Sequence, residues 1–219
     1  MEPPEDLSRW RLPRGRHGLP RELVERSQRE RLLAAVVRVT AEKGYESTTV
    51  ADILGEAGVG RESFYELFDD KLDCMLAAHK ILVDDLEEKV RATYCEEGPW
   101  PERVRGGLAV ALDWFSADPE TARFLLVETS TIGPAFHPIL QAEFERFRKL
   151  FDEGFEESGL DPQLAEASRL AVGATMARIY EEIVLGRTAE LPALLPDLTY
   201  GLLVPYVGEE QARAATGGR

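Results

Sequence analysis

Cysteine is nearly absent. Cys74 and Cys95 are the only two in 219 residues, too few and too irregularly spaced for a structural zinc site or a disulfide framework. Both read as reduced thiols. Cys74 has nothing cationic in its immediate sequence to create a thiolate, and reads as a small buried apolar residue rather than a redox switch. Histidine is equally scarce, at His17, His79 and His137. The chain has no HExxH, GxSxG or P-loop pattern and no cysteine–histidine metal spacing, so no enzyme, metal centre or cofactor is expected. No apolar run reaches the roughly 18 residues of a membrane span, and the acidic start Met1-Glu2-Pro3-Pro4-Glu5-Asp6 lacks the basic and apolar stretches of a secretory signal. The expected location is the cytoplasm, without a membrane partner. Positive charge is also in deficit, with 26 Lys and Arg against 40 Asp and Glu for a net −14. Taken as a total, that argues against nucleic acid.

The distribution argues otherwise. From Arg9 to Lys43 there are ten Lys and Arg against four acids, so a basic N-terminal stretch is joined to an acidic remainder, although a solvated charged helix has the same look. The hydrophobic fraction of 44% and charged fraction of 30% suit a soluble globular protein, organised as one large domain or as a small domain attached to a larger one.

The punctuation is helical throughout. Residues 1–19 carry Arg9, Arg11, Arg14 and Arg16 without helical periodicity and read as a mobile basic arm. After Pro20, apolar residues from Leu32 to Val39 recur at helical spacing until Gly44 supplies a stop. Thr49 suits the cap of a short helix, its hydroxyl reaching the Asp52 amide, with Val50, Ile53 and Leu54 inward. Gly58 fits a turn that needs a left-handed backbone. A second short helix from about Gly60 to Phe68 follows, anchored by Phe64, Leu67 and Phe68. Two short helices around a glycine turn make a helix-turn-helix. Asp70 then caps a long helix toward Val90. Beyond it Pro101, Asp118-Pro119, Pro138 and Asp161-Pro162 open further helices, the second running to about Ser130, and a last helix lies between Pro192 and Val207. The expected fold is all-α with about nine helices: a basic arm at 1–19, a three-helix DNA-binding domain at 20–71, a helical domain at 72–210 and a tail at 211–219.

Gly44-Tyr45, Thr48-Thr49-Val50, Asp52-Ile53, Ala57-Gly58-Val59, Ser63-Phe64-Tyr65, Phe68 and Lys71-Leu72 form a pattern that resembles the DNA-binding segment of the TetR (tetracycline-repressor) family, over roughly residues 29–76. A recognition helix presents polar side chains at its N-terminal end and keeps apolar ones behind. Arg61 is the expected base reader, because its planar fork matches guanine O6 and N7; a phosphate contact is the alternative. The resemblance implies that Ser63 and Tyr65 touch phosphate, that Thr49 offers its hydroxyl and amide to phosphate, and that Lys71 does so at the next helix start, helix N-termini being natural anion sites. Gly60 stands where the family often has serine or threonine. It still caps the helix but offers no hydroxyl to DNA. Phe64 completes the expected interface from behind, and Arg14 and Arg16 extend it, either in the minor groove or as nonspecific attraction.

The resemblance further implies a dimer through the last two helices and a ligand pocket in the C-terminal domain. Ala167, Ala171, Gly173 and Ala174 are small enough for close helix approach. Ile179, Val184, Leu195, Leu198, Leu202 and Leu203 fit either a dimer core or the core of one chain. Trp114, Phe115, Phe124, Phe144, Phe147, Phe151, Met176 and Tyr180 suggest an apolar or aromatic effector, while core packing is the competing use of each. Glu128, Thr129 and Arg178 are polar candidates beside them. The function expected is a sequence-specific regulator, a repressor released from a palindromic operator on double-stranded DNA by a small ligand. A dimeric DNA-binding protein without small-molecule sensing is the alternative, with a helical enzyme or a structural protein behind it.

Overall fold

A computed structural model describes residues 20–94, 97–134, 136–157 and 165–217, without the side chains of 150–169. The described residues are helical, with no strand among them: α1 (Arg21–Lys43), α2 (Val50–Ala57), α3 (Arg61–Leu67), α4 (Lys71–Tyr94), α5 (Trp100–Ala117), α6 (Pro119–Arg123), α7 (His137–Glu157), α8 (Ala165–Val184) and α9 (Leu195–Ala215). The expected all-α class holds. The chain divides into two compact units, Met1–Lys80 and Ile81–Arg219. The expected basic arm, with Arg14 and Arg16, lies outside the described residues, as do Cys95 and the helix start at Asp161-Pro162.

The N-terminal unit closes over Leu32, Val36, Ile53, Phe64, Cys74 and Met75, each without exposed surface. Local chemistry sets the ends of its helices. Thr49 and Asp52 form a reciprocal capping box at the start of α2, satisfying two amides that the first turn otherwise leaves open. Gly58 ends α2 at φ 61° and ψ 38°, a left-handed conformation that a Cβ would penalise. The Arg31 guanidinium reaches from α1 to donate to the carbonyls of Ala57 and Gly58 at 3.2 and 3.4 Å, pinning the turn. Asp70 accepts from the Asp73 amide at 2.8 Å and caps α4 as expected.

In the second unit, Asp118 caps α6 by accepting from the amides of Glu120 and Thr121. The helix expected to run on to about Ser130 does not stay α-helical. It widens into a π-helical turn at Phe124–Glu128 and tightens into a 3-10 turn at Thr129–Ile132. Buried Glu128 turns back to Arg123, five residues earlier, at 3.0 Å. The Thr129 hydroxyl donates to the Leu125 carbonyl, and the Thr129 amide takes the Phe124 carbonyl, in keeping with a widened turn. α9 keeps Pro196 within its first turn, and Gly208, at φ 77°, interrupts it one residue past the expected end at Val207.

Burial pushes the Cys74 thiol up to about 12, so its thiolate is negligible at neutral pH. Peptide mapping after iodoacetamide treatment of the native protein at pH 8 is expected to find Cys74 unmodified and to find it alkylated once urea is added.

Candidate nucleic-acid interface and ligand cavity

α3 is short, and its position depends on what lies beneath it. Phe64 has no exposed surface and meets Phe68 at a ring separation of 5.7 Å, while the Arg29 guanidinium of α1 lies 5.0 Å from the Phe68 ring centre. With its apolar side anchored, α3 turns its N-terminal edge outward. Arg61 and Tyr65 are exposed, and the Arg61 guanidinium rests over the Tyr65 ring at 5.7 Å. Ser63 is half-buried, its hydroxyl accepting from Gln28 Nε2 at 3.3 Å. Gly60 caps α3 in an extended conformation at φ −73° with open space where a Cβ would stand, so its backbone does not require glycine.

Three expected contacts change character. Phe64 is too deeply buried to touch DNA and supports the reading edge from below. Thr49 already gives both of its donors to Asp52, the amide at 2.9 Å and the hydroxyl at 2.6 Å, so a carboxylate sits where a phosphate was expected. Lys71 is half-buried, donates to the carbonyls of Tyr45 and Thr48 at 2.7 and 2.8 Å, and lies 4.1 Å from the Tyr45 ring centre. Its ammonium closes the segment between α1 and α2, and burial lowers its pKa.

Other cations of this unit are committed too. Arg21, Arg26, Arg38 and Lys43 pair with Glu25, Glu30, Glu56 and Asp52. Residues 20–80 hold nine Lys and Arg against twelve Asp and Glu, so the folded unit is acidic without the arm. The hydrogen bond from Lys43, followed by those from the Thr49 hydroxyl and amide, holds the Asp52 carboxyl well below the usual carboxylate range. A depressed native pKa stabilises the fold above the unfolded value of roughly 3.9 and loses that contribution as pH falls toward the native one. Asp52→Asn should therefore flatten the pH dependence of stability below about pH 4, as read by urea unfolding at successive pH values.

In the second unit a cavity of about 120 Å³ lies among the helices. On the same measure a single water needs about 10–15 Å³. Leu86, Val90 and Tyr94 line it from α4, and Thr175, Met176 and Ile179 from α8. Of the residues expected around a ligand, Phe115, Phe147 and Met176 are brought together here. Trp114, Phe124 and Tyr180 are not. Trp114 donates from Nε1 to Asp85 Oδ2 at 2.8 Å, Phe124 is fully buried in the packed core, and Tyr180 is 41% exposed. Successive helical residues point about 100° apart, so Trp114 and Tyr180 diverge from their cavity-lining neighbours Phe115 and Ile179. Phe144 is half-buried but is not among the lining residues, and the Phe151 side chain lies outside the described residues. The polar candidates are internally engaged: Glu128 with Arg123, Thr129 with Leu125, and Arg178 with Glu181 and Glu182. Sequence reading missed Tyr94, Gly107, Ala111 and Thr175 as cavity residues. The pair Gly106-Gly107 inside α5 was an available signal, since glycine in a helix interior costs stability unless close approach requires it. A Cβ on Gly107 would stand 3.4 Å from Val90.

Among the described residues no cluster of His, Cys, Asp and Glu could hold a metal ion, and no helix is long and apolar enough to cross a membrane.

Residues 32–78 match the family model for bacterial regulatory proteins of the tetR family. The HTH-type transcriptional regulator CymR of Pseudomonas putida is 30% identical over 123 residues, which are 56% of this chain and 61% of that protein, so the match spans less than two thirds of that relative. An uncharacterized HTH-type transcriptional regulator of Bacillus subtilis, YezE, is 25% identical over 182 residues, covering 79% of this chain and 93% of its own length. Among solved structures, the fatty acid degradation regulator FadR of Bacillus halodurans has the same fold at a TM-score of 0.72 and 21% identity, over 80% of this chain and 94% of that one. The FadR of Bacillus subtilis, solved in complex with stearoyl-CoA, does so at 0.70 and 19%, over 82% and 98%.

Proposed function

Because the chain belongs to the TetR family of bacterial regulatory proteins, we propose that it is a dimeric, cytoplasmic transcription regulator that reads a palindromic operator with α3 and releases it when an apolar effector enters the second unit. The observation that carries this reading is the outward edge of α3, with Arg61 and Tyr65 exposed above buried Phe64 and Phe68. Arg61 reads a base edge and Tyr65 a phosphate; Ser63, held by Gln28, lies at the rim of the contact. Arg14 and Arg16 supply backbone attraction that the acidic folded unit lacks.

The dimer forms on the outer face of α8 and α9. Leu170, Ala174, Ala177, Glu181 and Val184 are all exposed and recur at alternating spacings of four and three, the period of a helix–helix seam. Gly201, Val204 and Pro205 give α9 a small apolar surface for the same use. Of the residues that fitted either a dimer core or the core of one chain, Ile179, Leu198, Leu202 and Leu203 are buried inside the single chain. Ile179 lies on the side of α8 opposite the exposed residues, at about 100° per residue.

The cavity supports effector sensing, and the stearoyl-CoA complex of a neighbour with the same fold favours an apolar effector. α4 begins in the DNA-binding unit and lines the cavity with Leu86, Val90 and Tyr94. It is the element through which differential affinity for two arrangements reaches the operator. Selection from a pool of random duplexes at near-physiological salt tests the reading, with Arg61→Ala alongside. A palindrome is expected from the native protein. The variant should lose about 1–3 kcal/mol of discrimination at one position of each half-site. No enriched sequence would sink the proposal. A palindrome recovered equally well by the variant would reduce Arg61 to a phosphate contact.

A further inference from the structure

The cavity in the second unit is notable for what its wall omits. Among the described lining residues none is Asp, Glu, Lys, Arg, His, Asn or Gln, and the polar side-chain oxygens these carry are the hydroxyls of Tyr94 and Thr175. The Tyr94 hydroxyl already accepts from Trp100 Nε1 at 2.9 Å. An ionised group drawn into this wall would lose its water and find neither a countercharge nor a set of donors, which is strongly unfavourable. The cavity is also long. Lining positions on α4 run from Leu86 to Tyr94 and on α5 from Val104 to Phe115, about 12 and 16 Å of helix at 1.5 Å per residue. A volume of about 120 Å³ drawn out along two or more helical turns is narrow. The rings of Tyr94, Phe115 and Phe147 stand among aliphatic lining side chains, so it is the narrow bore that selects against a broad fused-ring body.

From these two properties we propose that the cavity takes the body of an uncharged, chain-like aliphatic molecule lying along the helices. This narrows the effector-sensing reading above and rests on it only for its consequence at the operator. The selection is against charge and against bulk: an alcohol, ester or ketone of a medium-length chain enters, the carboxylate of equal length does not, and fused rings are too broad.

Decan-1-ol, sodium decanoate at pH 8 and naphthalene, each added to the full chain, separate the possibilities. Binding is followed by the shift in thermal unfolding and by tryptophan fluorescence, because Trp100 is hydrogen-bonded to a residue of the wall. Decan-1-ol is expected to bind saturably, with decanoate and naphthalene at least tenfold weaker. Ala111→Phe, which fills the cavity from α5, should abolish the decan-1-ol response. Val172→Phe, filling it from α8, serves as the second variant should the first lose its cooperative unfolding transition. Binding of decanoate or naphthalene as tight as that of decan-1-ol would overturn the proposal, as would no binding of decan-1-ol or an undiminished response in a folded, filled variant. The operator found by duplex selection then separates the two readings. Selective decan-1-ol binding that leaves operator affinity unchanged keeps this inference and removes effector sensing. Release of the operator by a charged or polycyclic compound that binds in the cavity keeps effector sensing and removes this inference.

Discussion

Phe64→Ala is expected to cost the N-terminal unit about 3–5 kcal/mol, the range for deleting a buried aromatic side chain and leaving a cavity. Phe64 has no exposed surface and packs against Phe68, which Arg29 covers from α1. The truncation therefore removes the support on which α3 rests. Against a total stability of roughly 5–15 kcal/mol for a typical domain, that loss leaves operator binding weak even where the unit remains folded. Arg61→Ala is the necessary contrast, because an exposed substitution should stay within about 0.5 kcal/mol while losing base preference. Urea unfolding of both variants, beside binding to the selected duplex, separates anchoring from reading. A Phe64→Ala protein with native stability would mean that α3 is held by something other than its apolar side.

Substitution of Val184 and Leu170 by aspartate should convert the protein to a monomer. Leu170 is 70% exposed and Val184 46% exposed in the single chain, so neither contributes much to its own unit and thermal stability of the monomer should be nearly unchanged. Each aspartate would replace an apolar seam side chain by a carboxylate close to its own twofold mate, and the one at position 184 would also stand beside Glu181. Losing the second half-site removes the avidity term, about 10²–10⁴-fold in operator affinity. Light scattering after size exclusion reads the oligomeric state, and titration of the selected duplex reads the affinity. A variant that remains dimeric would move the interface away from α8.

These expectations differ in how far the sequence could have carried them. The helix-turn-helix was legible because its signals are local: a hydroxyl three residues before a carboxylate at Thr49 and Asp52, a glycine at the one left-handed position of the turn, and two phenylalanines one helical turn apart. Each acts within a few residues of itself. The destination of Lys71 was not legible, since the carbonyls of Tyr45 and Thr48 that hold it lie more than twenty residues away in sequence. Nor was the split between Phe115 and Trp114, because the rotation of α5 about its axis is set by packing against distant helices. The cavity was the hardest feature to read. Attention to aromatic residues finds what fills space, whereas a void also depends on residues too small to fill it, such as Gly107 and Ala111. The sequence left the face of α9 open for a related reason: Leu198, Leu202 and Leu203 are apolar in the same way as an interface, and only burial inside the chain distinguishes them.

The pairing of cations in the DNA-binding unit bears on how the protein spends its time in a cell. Generic attraction to duplex comes from cations that displace counterions from phosphate. In this unit Arg21, Arg26, Arg38 and Lys43 answer to carboxylates, and Arg31 and Lys71 to backbone carbonyls. Outside the arm little is left to hold the protein on arbitrary sequence. A chromosome offers on the order of 10⁶–10⁹ wrong addresses, and the pull toward them then falls to the arginines of the arm. Generic and specific affinity would thus sit on separate stretches of chain, so that shortening the arm would lower the first while leaving the contacts of α3 in place.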